Sequence, residues 1–134
     1  MAWDIWATAE EIALLMEAGF IYRYSGKFEE ARDIFRGVRA LRPASEVPEV
    51  ALGGVSFDEG NFKDAINHYR KALQINSNSA YAYAHLGEAE AFAKDEENAR
   101  RSLRRAQELD PRGEHGKLAR GLLMLVESVE FQLK

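Results

Sequence analysis

The residues of this chain best suited to acid–base or metal chemistry are its three histidines, His68, His85 and His115. No two of them have the four-residue spacing that lets a pair of imidazoles share a metal ion on one helix face. No serine and carboxylate stand near any of them in the pattern of a nucleophilic triad. His85 and Glu88 fall on one helical face, but a lone pair of this kind is ordinarily a polar contact and not half of a metal site. The chain has no cysteine, which removes thiolate and disulfide chemistry. No glycine-rich loop follows a strand pattern, so phosphate binding of that type is not expected either. These residues predict a protein that is not an enzyme and that uses no metal and no cofactor.

Charge narrows the partners. The chain of 134 residues carries 22 acidic and 18 basic side chains, a net charge of −4, which argues against nucleic acid because phosphate binding needs a basic face. The one basic cluster, Arg100, Arg101, Arg104 and Arg105, follows Glu96 and Glu97 at helical spacing and reads as a solvated, self-paired helix face. The opening residues Met1–Trp6 lack the basic region and apolar stretch of a signal peptide. The longest apolar run, Leu122 to Val126, is far too short to cross a bilayer. The expectation is a cytoplasmic protein without membrane insertion.

The elements that must position these residues are set by a period. Gly19, Gly53 and Gly87 stand 34 residues apart, as do Ala31, Ala65 and Ala99. Large residues follow each alanine on the same helical face at Phe35, Tyr69 and Leu103, with Val38, Ala72 and Ala106 beyond them. Gly26 and Gly60 punctuate the turns of the first two units, while Lys94-Asp95-Glu96 predicts a looser or differently shaped third turn. Pro43, Ser77 and Pro111 close the units. Helices are predicted over about 4–24, 28–41, 46–58, 62–75, 80–93, 96–109 and 115–132, with Ser45 and Asp95 as N-caps and Pro48 in a first turn.

On these residues the chain resembles the tetratricopeptide repeat family. The resemblance implies an all-α fold of three tandem helix-turn-helix repeats in a right-handed superhelix, closed by a C-terminal capping helix. The units would be 12–45, 46–79 and 80–113, after a 1–11 extension of the first helix and before a 114–134 cap. Two readings of the ends stay open: Trp3, Trp6, Leu122, Leu125 and Val129 either pack on the terminal units or form a self-association surface for a homodimer.

In such a stack the first helix of each unit faces the concave side. The register brings Ala13, Val47 and Tyr81 to one level, then Met16, Val50 and Ala84, then Phe20, Gly54 and Glu88, then Arg23, Phe57 and Ala91, then Tyr24, Asp58 and Phe92. Met16, Phe20, Arg23, Tyr24, Val47, Val50, Phe57, Tyr81, His85 and Phe92 are therefore the expected lining of a peptide-binding groove. Members of the family that clamp the C-terminal carboxylate of heat-shock chaperones resemble one another in placing lysine, arginine and asparagine there. Met16, Phe20, Ala51, Tyr81 and His85 stand in the comparable places here, which implies an extended segment with apolar anchors instead.

The stretch from Phe20 to Ala31, with Ile34 and Phe35, also resembles the opening repeat of the small acidic chaperones of bacterial type III secretion translocators. Arg23 departs from that pattern by replacing an aromatic, and the N-terminal arm is shorter. The resemblance implies a cytoplasmic chaperone whose partner is an extended segment of a secretion substrate. The alternative is a scaffold or assembly subunit of another multiprotein complex.

Overall fold

A computed structural model describes residues 7–128. They form α1 (Ala9–Tyr24), α2 (Phe28–Leu41), α3 (Val47–Asp58), α4 (Phe62–Ile75), α5 (Ala80–Phe92), α6 (Glu96–Leu109) and α7 (Glu114–Val126), with no strand among the described residues. Each helix packs on the next, α3 also meets α5, and α7 rests on both α5 and α6.

The hairpins close on the spaced glycines. A methyl group at Gly19, Gly53 or Gly87 would collide with Phe35, Tyr69 or Leu103, so each glycine admits the large residue of its partner helix against the backbone. Those three side chains are fully buried, a burial worth about 1.5–3 kcal/mol each. Three core clusters result, and each joins one hairpin to the helix that follows it. This explains why α3, covered on several sides, is buried without a break from Pro48 to Ser56 while α2, α4 and α6 are amphipathic.

The third turn corrects the sequence expectation. Lys94 takes φ +68°, the left-handed conformation of Gly26 (+77°) and Gly60 (+81°), so the turn keeps its shape on a non-glycine residue. Helix starts also differ. α1 begins at Ala9 because Thr8 and Glu11 form a capping box: the Thr8 hydroxyl accepts from the Glu11 N–H at 3.1 Å and the Glu11 carboxylate accepts from the Thr8 N–H at 3.2 Å. Asp95 caps α6 as expected, whereas Glu46 is the N-cap of α3 and Ser45 accepts from the Val47 N–H one step earlier. Pro48 lies in the first turn of α3.

The joint between the first two units also carries a polar contact. Arg39 on α2 donates to buried Glu49 on α3 at 2.9 Å, and Nδ1 of His68 on α4 donates to the second Glu49 oxygen at 2.5 Å. Burial alone would raise the Glu49 pKa; the hydrogen bonds and charges of His68 and Arg39 outweigh it and hold the carboxyl below its ordinary value. Within the third unit, Ser102 on α6 donates to buried Glu90 on α5 at 2.6 Å, but here burial dominates and the Glu90 pKa is raised.

Candidate functional site

Five of the expected groove residues converge. Phe20, Arg23 and Tyr24 on α1 and Tyr81 and His85 on α5 line a cavity of about 430 Å³, whose remaining wall is Glu114, His115 and Leu118 on α7. The stack curls far enough for its first and last described helices to bound one hollow.

The aromatic groups are held by one another. Phe20 stacks along Tyr24 with ring centroids 6.3 Å apart and backs onto Phe35 at 5.2 Å. Tyr81 is wedged between two imidazoles, His85 edge-on at 5.2 Å and His115 stacked at 5.0 Å. Burial pushes the Tyr81 pKa up to about 12, with the Arg23 charge opposing the rise, so its hydroxyl is neutral at physiological pH. Tyr24 is 76% exposed and free to meet an incoming chain.

Arg23 is the cationic member of the wall, and its charge is already answered. Its Nε and Nη2 donate to the two Asp58 carboxylate oxygens at 2.6 and 3.1 Å, linking α1 to α3. Burial works against the charge, but the bonds and charge of Asp58 prevail and raise the guanidinium pKa. The guanidinium lies over α3 because residue 54 is glycine, where a Cβ would stand 2.6 Å from Nη1. His85 is likewise paired, with Glu88 at 3.3 Å.

The other expected groove residues divide. Met16 (9% exposed) and Val50 (2%) belong to the core, Met16 within the first cluster and Val50 within the second, so they support the wall from behind. The side chain at the fifth position of a unit turns inward once its hairpin closes. Phe57 and exposed Phe92 form a separate aromatic cluster with Phe62, centroids 5.1–5.5 Å apart, at the turn end of the units. Val47 is exposed outside the cavity.

Sequence reasoning missed Glu114, His115 and Leu118. Their spacing on one face of α7 was readable, but only the curvature of the stack aims that face at α1. The core face of α7 is also shifted: Ala119, Leu123 and Val126 are buried, Leu122 is half-buried and Leu125 is exposed. Of the self-association candidates, Trp3, Trp6 and Val129 lie outside the described residues. The arginine cluster pairs as expected, Arg100 with Glu96 at 3.7 Å and Arg101 with Glu97 at 2.7 Å. Among the described residues no three His, Asp or Glu side chains gather as a metal site, and no helix is long and apolar enough to cross a membrane.

Comparison with known proteins agrees with this geometry. The TPR repeat model matches residues 53–91 and a second tetratricopeptide repeat model matches residues 80–112. No curated protein matches the sequence significantly. Similar solved structures include the first tetratricopeptide domain of human RPAP3, with TM-score 0.78 and 23% identity over 91% of this chain and 92% of that one. The second such domain of human RPAP3, in complex with an HSP70 peptide, has TM-score 0.71 and 16% identity over 87% and 98%. The Yersinia enterocolitica type III secretion chaperone SycD, in complex with a peptide of the translocator YopD, has TM-score 0.73 and 18% identity over 95% and 98%. At these identities the likeness is one of fold. Period, glycine contacts, matched repeat models and similar structures agree on the fold: an all-α stack of helical hairpins like that of tetratricopeptide repeat domains.

Proposed function

We propose that the chain is a protein-interaction module whose groove holds an extended apolar segment of another polypeptide, as a chaperone for a type III secretion translocator would. The observation that carries this reading is the cavity between α1, α5 and α7, with aromatic rings on its walls and its arginine already neutralised by Asp58. A client with apolar anchors gains from covering Tyr24, Phe20 and Leu118, whereas a client offering only carboxylates finds Arg23 engaged. Two structures of the same fold, the SycD and RPAP3 complexes, carry peptides, which supports a peptide as the ligand class.

The test is to purify the protein from its native cell with its bound polypeptide, identify that polypeptide, and titrate a peptide of its contact segment. Tyr24→Ala and Leu118→Ala, both at exposed positions, are expected to weaken that peptide by about 1–3 kcal/mol with helix content unchanged. Unchanged affinity in both variants would remove the groove from the mechanism. A stable complex with folded partners, in place of an unfolded client, would establish the scaffold alternative.

A further inference from the structure

The joints of the stack repeat one arrangement. α2 covers the outward face of α3, burying Glu49 and Leu52, and α4 covers that of α5, burying Leu86. In each joint an arginine of the covering helix reaches a glutamate of the covered one: Arg39 to Glu49 at 2.9 Å and Arg70 to Glu90 at 4.0 Å. The third joint follows suit, with Arg104 on α6 meeting Glu127 at the end of α7 at 3.4 Å.

α1 presents the same register positions, Leu15 and Ala18, and no described helix lies over them. Leu14 is 64% and Ile21 65% exposed, and a cavity of about 470 Å³ bordered by Leu14, Leu15 and Leu41 opens at the near end of the face. The exposed charges along α1 are Glu10, Glu11 and Glu17; Glu11 is engaged in the capping box, and the helix's one basic residue, Arg23, is held by Asp58.

We propose that this face docks a single amphipathic helix of another polypeptide, seated on α1 as α2 is seated on α3, with a lysine or arginine along its edge turned to Glu10 and Glu17. Both parts of the occupant are specified by the molecule: the covered faces of α3 and α5 show that a helix fits there, and the exposed ridge Glu10, Leu14, Glu17 and Ile21 alternates acidic and apolar groups that a basic-edged amphipathic helix complements. A second copy of this chain fits less well, since its α1 would bring glutamates toward glutamates. The surface is distinct from the groove and stands or falls independently of what the groove holds.

The probes are fluorescein-labelled synthetic peptides of residues 28–41 and 62–75, the two covering helices, stapled into helical form and titrated against the full chain by anisotropy. Saturable binding is expected for at least one, weakened about tenfold by Leu14→Glu and by Ile21→Glu in the protein. Reversing the peptide's arginines to glutamate is expected to weaken it roughly threefold at low salt. Tyr24→Ala, in the groove, is expected to leave binding unchanged. Exposed Leu14 and Ile21 permit these substitutions without loss of fold, which circular dichroism checks. No binding by either peptide, binding indifferent to Leu14→Glu, or loss on Tyr24→Ala would overturn the proposal. So would sedimentation showing a homodimer that Leu14→Glu splits, because the occupant would then be a second copy.

Discussion

Lys94 occupies a backbone conformation that costs a side-chain-bearing residue about 1–2 kcal/mol and costs glycine nothing. Against that, glycine loses about 0.5–1 kcal/mol of extra chain entropy on folding. Lys94→Gly is therefore expected to stabilise the protein by about 0.5–1 kcal/mol in urea titration, the residue-scale difference between these terms. Glu49 and Glu90 give opposite pH behaviour from similar burial. The folded pKa of Glu49 lies below its unfolded value, so its contribution is present above the ordinary carboxylate range and is lost as pH falls through the folded pKa. Glu49→Gln should cost about 1–3 kcal/mol at neutral pH, and the deficit should shrink in acid. Glu90 has a raised pKa, so its ionisation opposes folding: its contribution is full below the unfolded pKa and is lost as pH rises through the folded one. Glu90→Gln, which can still accept from Ser102, should raise the melting temperature at neutral pH, with the gain fading toward the carboxylate range. A loss of stability there would show that Arg70, 4.0 Å away, outweighs desolvation.

At the scale of the element, two kinds of helical glycine separate cleanly. Gly53 lies against the Tyr69 ring, whereas Gly37 on α2 and Gly121 on α7 have open space where a Cβ would stand. Gly37→Ala and Gly121→Ala are each expected to stabilise the fold by about 0.5–1 kcal/mol through helix propensity. Gly53→Ala should instead destabilise it, since overpacking of about 1–3 kcal/mol outweighs that gain. Thermal melts of the three variants check both signs. The close-packed glycines were legible because only their spacing of 34 residues was needed to identify them. The start of α1 was legible too, in Thr8 and Glu11, but the helical pattern of the residues before it pointed further upstream. The third turn was misjudged for a different reason: Lys94 and Asp95 donate to Ala91 and Glu90 just as Gly60 and Asn61 donate to Phe57 and Ser56, so the hairpin keeps its closing bonds and the local residue accepts the conformation.

For the whole molecule, the repeat architecture and the set of first helices could be derived from one period. The groove could be derived only in part. Met16 and Val50 share the register of groove positions, yet side-chain direction within a closed hairpin takes them into the core. Glu114, His115 and Leu118 required knowledge of how far the stack turns, a quantity summed over joints that no single stretch of sequence encodes. Arg23 shows the same dependence: whether it offers a free charge to a ligand depends on Asp58 and Gly54, both on a different helix. That α1 and α7 bound one hollow has a mechanical corollary. The width of its mouth is the accumulated tilt of every hairpin between them, so a few degrees lost at the Arg39–Glu49–His68 contact would be magnified at the far wall. The grip on a ligand is thus tunable from residues that never touch it.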